Sequence, residues 1–158
     1  MRDFLNAELE HVFDITVYFG ADRTKIGPLP GEGFQGFTPP VRGNIRGPKL
    51  NGKVVPRSGA DYANVRADGV VELDARYLLE ADDGTLIYIM NKGYLVPAPE
   101  KGAELNDQNH PQPRYFRCTP YFRAPKGPHE WLNQVCIIGA GERRIDPDHS
   151  IFRYYAVR

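Results

Sequence analysis

The chain has only two cysteines and one tryptophan, and no surplus of either charge: 20 Lys and Arg balance 20 Asp and Glu in 158 residues. Cys118 and Cys136 stand in apolar runs without a CxxC spacing, so no disulfide framework or cysteine metal site is expected. Both read as buried free thiols. With zero formal charge there is no net field to draw the chain to phosphate backbones or anionic membranes, which argues against nucleic-acid and membrane partners. No apolar run approaches the length of a bilayer span, and the N-terminal MRDFLNAELEHVF lacks the apolar segment of a signal peptide. The cytoplasm is the expected location. The sequence contains no G-x-S-x-G elbow, no H-E-x-x-H pair and no Walker sequence, and its four histidines are scattered. Serine-hydrolase, zincin and P-loop chemistry therefore lack support, and neither a metal site nor a cofactor is expected.

Glycine and proline, by contrast, are plentiful, with 16 and 14 residues spread among short apolar runs. Such punctuation suits many brief strands and turns rather than long helices. At 17.8 kDa and 41% hydrophobic residues the chain can close one core, so residues 1–158 are expected to form one domain. The run Gly31, Gly33, Gly36 spells G-x-G-x-x-G. Pro28 and Pro30 disrupt the strand that should precede a nucleotide-binding motif, and Pro39-Pro40 the helix that should follow, so these glycines are read as barrel corners. Phe34 and Phe37 beside them are candidates to cap a cavity mouth.

Alternation places strands along most of the chain. Residues 7–17 alternate, with Val12 breaking the polar series and His11 on the apolar side as a core histidine. Short strands follow at 41–45 and 53–55. Asp68-Gly69 and Asp83-Gly84 mark tight turns of two adjacent hairpins. Residues 86–95 are nearly continuous in apolar and aromatic side chains, which predicts a strand covered on both faces, by the barrel interior and by a second subunit. Homo-oligomerisation follows from that reading. The polar stretch 97–113 is expected to be a loop and lid, and strands are expected at 115–123, 131–138 and 151–157. The total of eight or nine predicts an all-β protein, a single antiparallel β-barrel wide enough for an internal ligand cavity.

Between the two turns Val71, Leu73, Ala75 and Tyr77 alternate with Glu72, Asp74 and Arg76. The polar stripe is either a solvated outer face of cross-strand ion pairs or the lining of the cavity, and alternation alone does not choose. If it lines the cavity, Arg66, Arg76 or Arg117 would hold a carboxylate or phenolate through the guanidinium fork. Asp61, Asp68, Glu72 or Asp74 would transfer a proton, given an apolar wall to raise the carboxyl pKa, with the Tyr77 hydroxyl as the other candidate donor. Tyr77, Tyr94, Tyr115 and Trp131 would offer flat surfaces to an aromatic ligand, and Asn133, two residues from Trp131 on the same strand, would face the same side.

Gly59-Ala60-Asp61-Tyr62, Arg66-Ala67-Asp68-Gly69, Glu72-Leu73-Asp74-Ala75-Arg76-Tyr77 and Asp82-Asp83-Gly84 resemble the central motif of a small bacterial and fungal family known as domain of unknown function 3237. Tyr115-Phe116-Arg117, Pro120-Tyr121-Phe122 and Glu130-Trp131-Leu132-Asn133 are similar to its second half. The resemblance implies a compact antiparallel barrel with an internal cavity, and cofactor-free lyase or decarboxylase chemistry in the catabolism of aromatic compounds. It also favours a cavity role for Asp61, which otherwise reads as a turn residue bonding its own backbone. The expected activity is thus a cofactor-independent lyase, decarboxylase or isomerase on a small aromatic or polyketide-like acid. The alternative is a non-catalytic carrier of such a ligand.

Overall fold

A computed structural model describes residues 1–158. Twelve strands succeed one another: β1 (Leu9–Phe19), β2 (Thr24–Ile26), β3 (Phe34–Phe37), β4 (Pro40–Arg46), β5 (Gly52–Val54), β6 (Ala60–Asp61), β7 (Asn64–Val65), β8 (Val71–Ala81), β9 (Leu86–Val96), β10 (Tyr115–Arg123), β11 (Ile137–Arg144) and β12 (His149–Val157). Eight of them close into an antiparallel barrel in the order β8-β5-β4-β1-β12-β11-β10-β9, with β9 returning to β8. No helix is long and apolar enough to cross a membrane.

The ring is uneven, and that unevenness makes the site. Strand β5 is only three residues long and pairs with Leu79–Ala81 at the end of β8. The first half of β8 pairs instead with β6 (Ala60↔Arg76) and β7 (Asn64↔Glu72), and β3 and β2 extend this flap outward. Both Asp-Gly turns form as their sequence requires. Gly69 and Gly84 each sit at φ 86°, a conformation a side chain resists, and Asp68 and Asp83 each accept the N–H two residues on, from Val70 (3.1 Å) and Thr85 (3.0 Å).

On β8 the inward positions are the apolar ones. Ala75, Tyr77, Leu79 and Ala81 are buried, and Arg76 is exposed. Burial decides the orientation: seating Phe13, Ile15, Leu79, Ile87 and Ile89 in one core recovers ~1.5–3 kcal/mol per large side chain, whereas the opposite register would bury four charges, Glu72, Asp74, Arg76 and Glu80.

The structure corrects several expectations. The segment 131–138 does not start as a strand. Glu130–Asn133 is a 3-10 turn, and β11 begins only at Ile137. The Asn133 amide imposes this, donating to the Ala124 and Glu130 carbonyls (2.9 and 3.1 Å) and accepting the Ala124 N–H (3.0 Å). Cys136 is exposed, and only Cys118 is buried. Strand β9 alternates buried Ile87, Ile89 and Asn91 with exposed Leu86, Lys92 and Tyr94, so within one chain its second face is open. A bulge between His11 and Phe13 buries Val12 and Phe13 together and turns His11 outward, where it bonds Asp14 at 2.9 Å. The 97–113 loop is not a free lid: Asn106 and Gln112 tie it to Glu142 and Arg143 on β11. Phe34 lies under Lys25 and Phe37 against Tyr62, so neither caps the cavity.

Candidate functional site

Where β5 stops short, a cavity of about 540 Å³ opens between the flap and the barrel interior. One wall is apolar: Val71 and Leu73 of β8, Leu95 of β9, Phe116 of β10 and Phe152 of β12, with the Phe116 and Phe152 rings edge to face at 5.2 Å. These are inward positions that strand alternation dictates. One inward position further along β8, β10 and β12 come Ala75, Cys118 and Tyr154, all buried, so the floor is solid. That floor holds neutral polar groups. Burial pushes the Cys118 thiol up to about 11 and the Tyr77 phenol well above its ordinary range. The Asn91 amide donates to the Tyr154 hydroxyl at 3.1 Å, and its oxygen is buried without a partner.

Asp61 enters the cavity from the flap. Strand β6 lies so close to β8 that a Cβ on Gly59 would stand 1.7 Å from the Arg76 carbonyl oxygen, so glycine is what lets the following residues reach this depth. Asp61 bridges Thr38 on one side, and its carboxylate accepts the Asp74 N–H at 2.9 Å on the other. Burial pushes its carboxyl up to about 6, and the Asp74 charge adds to this. The Asp74 N–H bond and the Arg23 charge act the other way. It has no ion-pair partner within 4 Å, so the carboxyl is free to exchange a proton near neutrality.

The rim opposite is cationic, with Arg23, Lys25 and Arg143 all lining the opening. Arg23 and Arg143 share Asp148, the former at 2.5 Å, and both guanidiniums stand over the Phe19 ring at 5.3 and 5.5 Å. Burial would raise Asp148, but the two guanidiniums outweigh it and hold the carboxyl below its ordinary range. Arg143 also donates to Ser150 Oγ (2.8 Å) and the His149 carbonyl (3.0 Å), so its position is set before any ligand arrives. Three cations against one ionised carboxylate leave the rim net positive.

Of the residues expected from sequence, Asp61 alone lines this cavity. Glu72 and Asp74 lie in a groove on the outer wall, shared with Tyr94 and Lys92. Arg76 is exposed beside Asp74, Nε to Oδ1 3.7 Å. Arg66 forks onto Asp68 across its own turn at 2.5 and 3.2 Å, and Arg117 is exposed on the outside of β10. Tyr77 faces inward but below the cavity, in the packed floor. Trp131 packs against Phe13 (6.5 Å) at the far end, roughly 20 Å along β10 from Phe116 at the usual rise per residue, and Asn133 closes the loop there. The sequence reading missed Phe19, Arg23, Lys25, Arg143 and Ser150. Phe116 and Phe152 lie on strands expected from sequence, at 115–123 and 151–157, but nothing in the pattern of 20–26 or 139–144 marks Arg23 or Arg143.

The profile of the family described as "Protein of unknown function (DUF3237)" matches residues 7–157. A UPF0311 protein of Rhodopseudomonas palustris strain TIE-1 is 34% identical over 141 residues, covering 88% of this chain and 90% of that one. A β-barrel-like protein of Acinetobacter baumannii superposes with a TM-score of 0.85 at 27% identity, over all of both chains. An enzyme of Penicillium herquei does so with a TM-score of 0.72 at 18% identity, over 100% of this chain and 99% of that one, and shares the fold.

Proposed function

The chain belongs to the DUF3237 family of proteins of unknown function, and we propose that it is a cofactor-independent lyase, decarboxylase or isomerase acting on a small aromatic or polyketide-like acid. The observation that carries the reading is Asp61: a carboxyl without an ionic partner, titrating at about 6, at an apolar cavity whose rim is cationic. The Penicillium herquei enzyme shares only the barrel, so the reading stands on the cavity itself.

The substrate carboxylate is held at the rim by Lys25 and by the solvent-facing side of Arg23, which also bonds Asp148, while the more buried Arg143 stays fastened to Asp148 and Ser150. The ring lies against Phe19, Phe116, Phe152 and Leu73. In decarboxylation the bond between ring and carboxyl carbon breaks, carbon dioxide leaves, and the electron pair stays on the ring carbon. Protonated Asp61 delivers a proton to that carbon and is reprotonated by water at the mouth. As an isomerase the same carboxyl, ionised, removes a proton from carbon and returns it elsewhere. Free Cys118 and Cys136, without a disulfide, support the cytoplasm as the place of action.

The test is Asp61→Asn, assayed with a panel of aromatic carboxylic acids. Turnover is expected to fall ~10²–10⁴-fold while calorimetric affinity changes little, and the wild-type decarboxylation rate is expected to decline as pH rises above about 6. Arg23→Met is expected to weaken binding instead. Tight binding without turnover in the wild type would make this a carrier, and unchanged turnover in Asp61→Asn would end the assignment.

A further inference from the structure

An antiparallel sheet packed on its core normally shows water a polar outer face. The outward positions of β1 obey this, with Glu10, Asp14 and Thr16. The outward positions of β9 do not: Leu86, Tyr88, Met90 and Tyr94 leave Lys92 as the single charge. Tyr121 on neighbouring β10 is 68% exposed, Leu86 54% and Tyr94 51%. Strand β9, with Tyr121 of β10 beside it, thus carries an aromatic and aliphatic strip, interrupted by Lys92, on the outside of the barrel.

The charges beside this strip differ between the strands: β8 carries the acids Glu72, Asp74 and Glu80 with one cation, Arg76, and β10 carries only the cations Arg117 and Arg123. Elsewhere on the barrel surface such charges are paired within the chain, as in Asp14 with Arg153 (3.0 Å) and Glu10 with Arg158 (2.7 Å). Glu72, Lys92, Arg117 and Arg123 take part in no ion pair. Register places them in rows across the face: Glu72, Tyr94, Arg117, then Asp74, Lys92, Thr119, then Arg76, Met90, Tyr121.

We propose that this face binds a second copy of the chain, about a two-fold axis running along β9. Rotation about that axis keeps each row at its height but exchanges left and right, so β8 of one copy lies over β10 of the other. Glu72 then meets Arg117 and Arg76 meets the Tyr121 ring, each twice, while Tyr94 and Met90 meet their own equivalents at the centre. Lys92 also meets itself, with Asp74 beside it to offset the repulsion. Sheets pack face to face in this aligned manner. The face measures about 14 Å by 30 Å from strand spacing and rise. Two copies therefore bury roughly 800–1,000 Å², the size of a weak, transient interface, and dissociation is expected in the micromolar range. The cavity opens elsewhere, so both sites remain accessible in the dimer.

Sedimentation velocity from about 1 to 300 µM, a range chosen to bracket such an affinity, tests the proposal. The wild type is expected to pass from monomer to dimer. Glu72→Arg and Arg117→Glu alone are each expected to weaken the dimer at least tenfold, and the double variant to restore it to within about threefold. Tyr121→Lys, at a position whose side chain makes no intramolecular hydrogen bond, sets a like charge against Arg76 of the other copy and breaks the dimer independently should either charge reversal disturb folding. A wild type that stays monomeric, a dimer indifferent to both reversals, or a double variant that fails to recover would each overturn the proposal.

Discussion

At the scale of the residue, Asp61 is held in the cavity at a cost to stability that depends on pH. Its folded pKa of about 6 lies above the ordinary value of about 3.9, so between these pH values the folded protein keeps a proton that the unfolded chain has lost. Stability from this group is therefore greatest below pH ~4 and declines until pH ~6, by up to about 3 kcal/mol. Asn at this position retains an oxygen for the Asp74 N–H and removes the ionisation. Asp61→Asn is expected to be more stable than the wild type near pH 7 and equal to it near pH 4. Urea unfolding across that range checks this, and a difference independent of pH would mean that the carboxyl is not the titrating group. Other carboxyls pull the opposite way: burial would raise Asp14, but Arg153 and His11 hold it below its usual range. The comparison of variant with wild type, rather than either curve alone, isolates Asp61.

Elements differ in why they need their special residues. Gly84 has open space around it and only its positive φ to defend, so Gly84→Ala is expected to cost ~1–2 kcal/mol. Gly59 has an ordinary φ, but a side chain there would strike the Arg76 carbonyl. Gly59→Ala is expected to cost about 3 kcal/mol, the upper end of overpacking, and to pull β6 and Asp61 away from β8. Urea midpoints should rank the two variants in that order, and ligand affinity should fall for Gly59→Ala alone. The 3-10 turn before β11 offers a third case. Asn133→Ala removes the three bonds that fold the turn onto Ala124 and Glu130. A loss of about 1–2 kcal/mol is expected, with affinity for aromatic acids unchanged; weakened affinity would return Asn133 to the binding site.

For the whole molecule, the barrel is a vessel filled at one end and open at the other, with a cationic rim that any anionic ligand must pass. A ligand that binds only the folded state stabilises it by ~2.7 kcal/mol at a hundred times its Kd. Thermal unfolding with a saturating aromatic carboxylate should show this increment, and the corresponding neutral ester should give little of it. Raising salt should erode the difference, because charges at an open rim are screened within ~10 Å at 0.1 M. An ester as effective as the acid would move recognition from Arg23 and Lys25 to the apolar wall.

How much of this was legible beforehand follows from the range of the forces involved. Strand alternation, the Asp-Gly turns and the glycine and proline punctuation are local, and by themselves they determined an all-β chain of short antiparallel strands, with Leu73 opposed to Glu72 and Asp74 across one strand and Phe116 opposed to Arg117 across another. Which of those faces is inside is a comparison of burial energies summed over the whole ring, and only closure of the barrel decided it, turning the charged stripe of β8 outward. The short β5, the gap it leaves, and the flap that carries Asp61 into that gap depend on pairings between segments far apart in the chain. So does the meeting of Arg23 and Arg143 at one carboxylate, 125 and 5 residues distant in sequence. Pattern along a chain records what each residue would choose for its neighbours; the site exists because distant choices were made compatible in space.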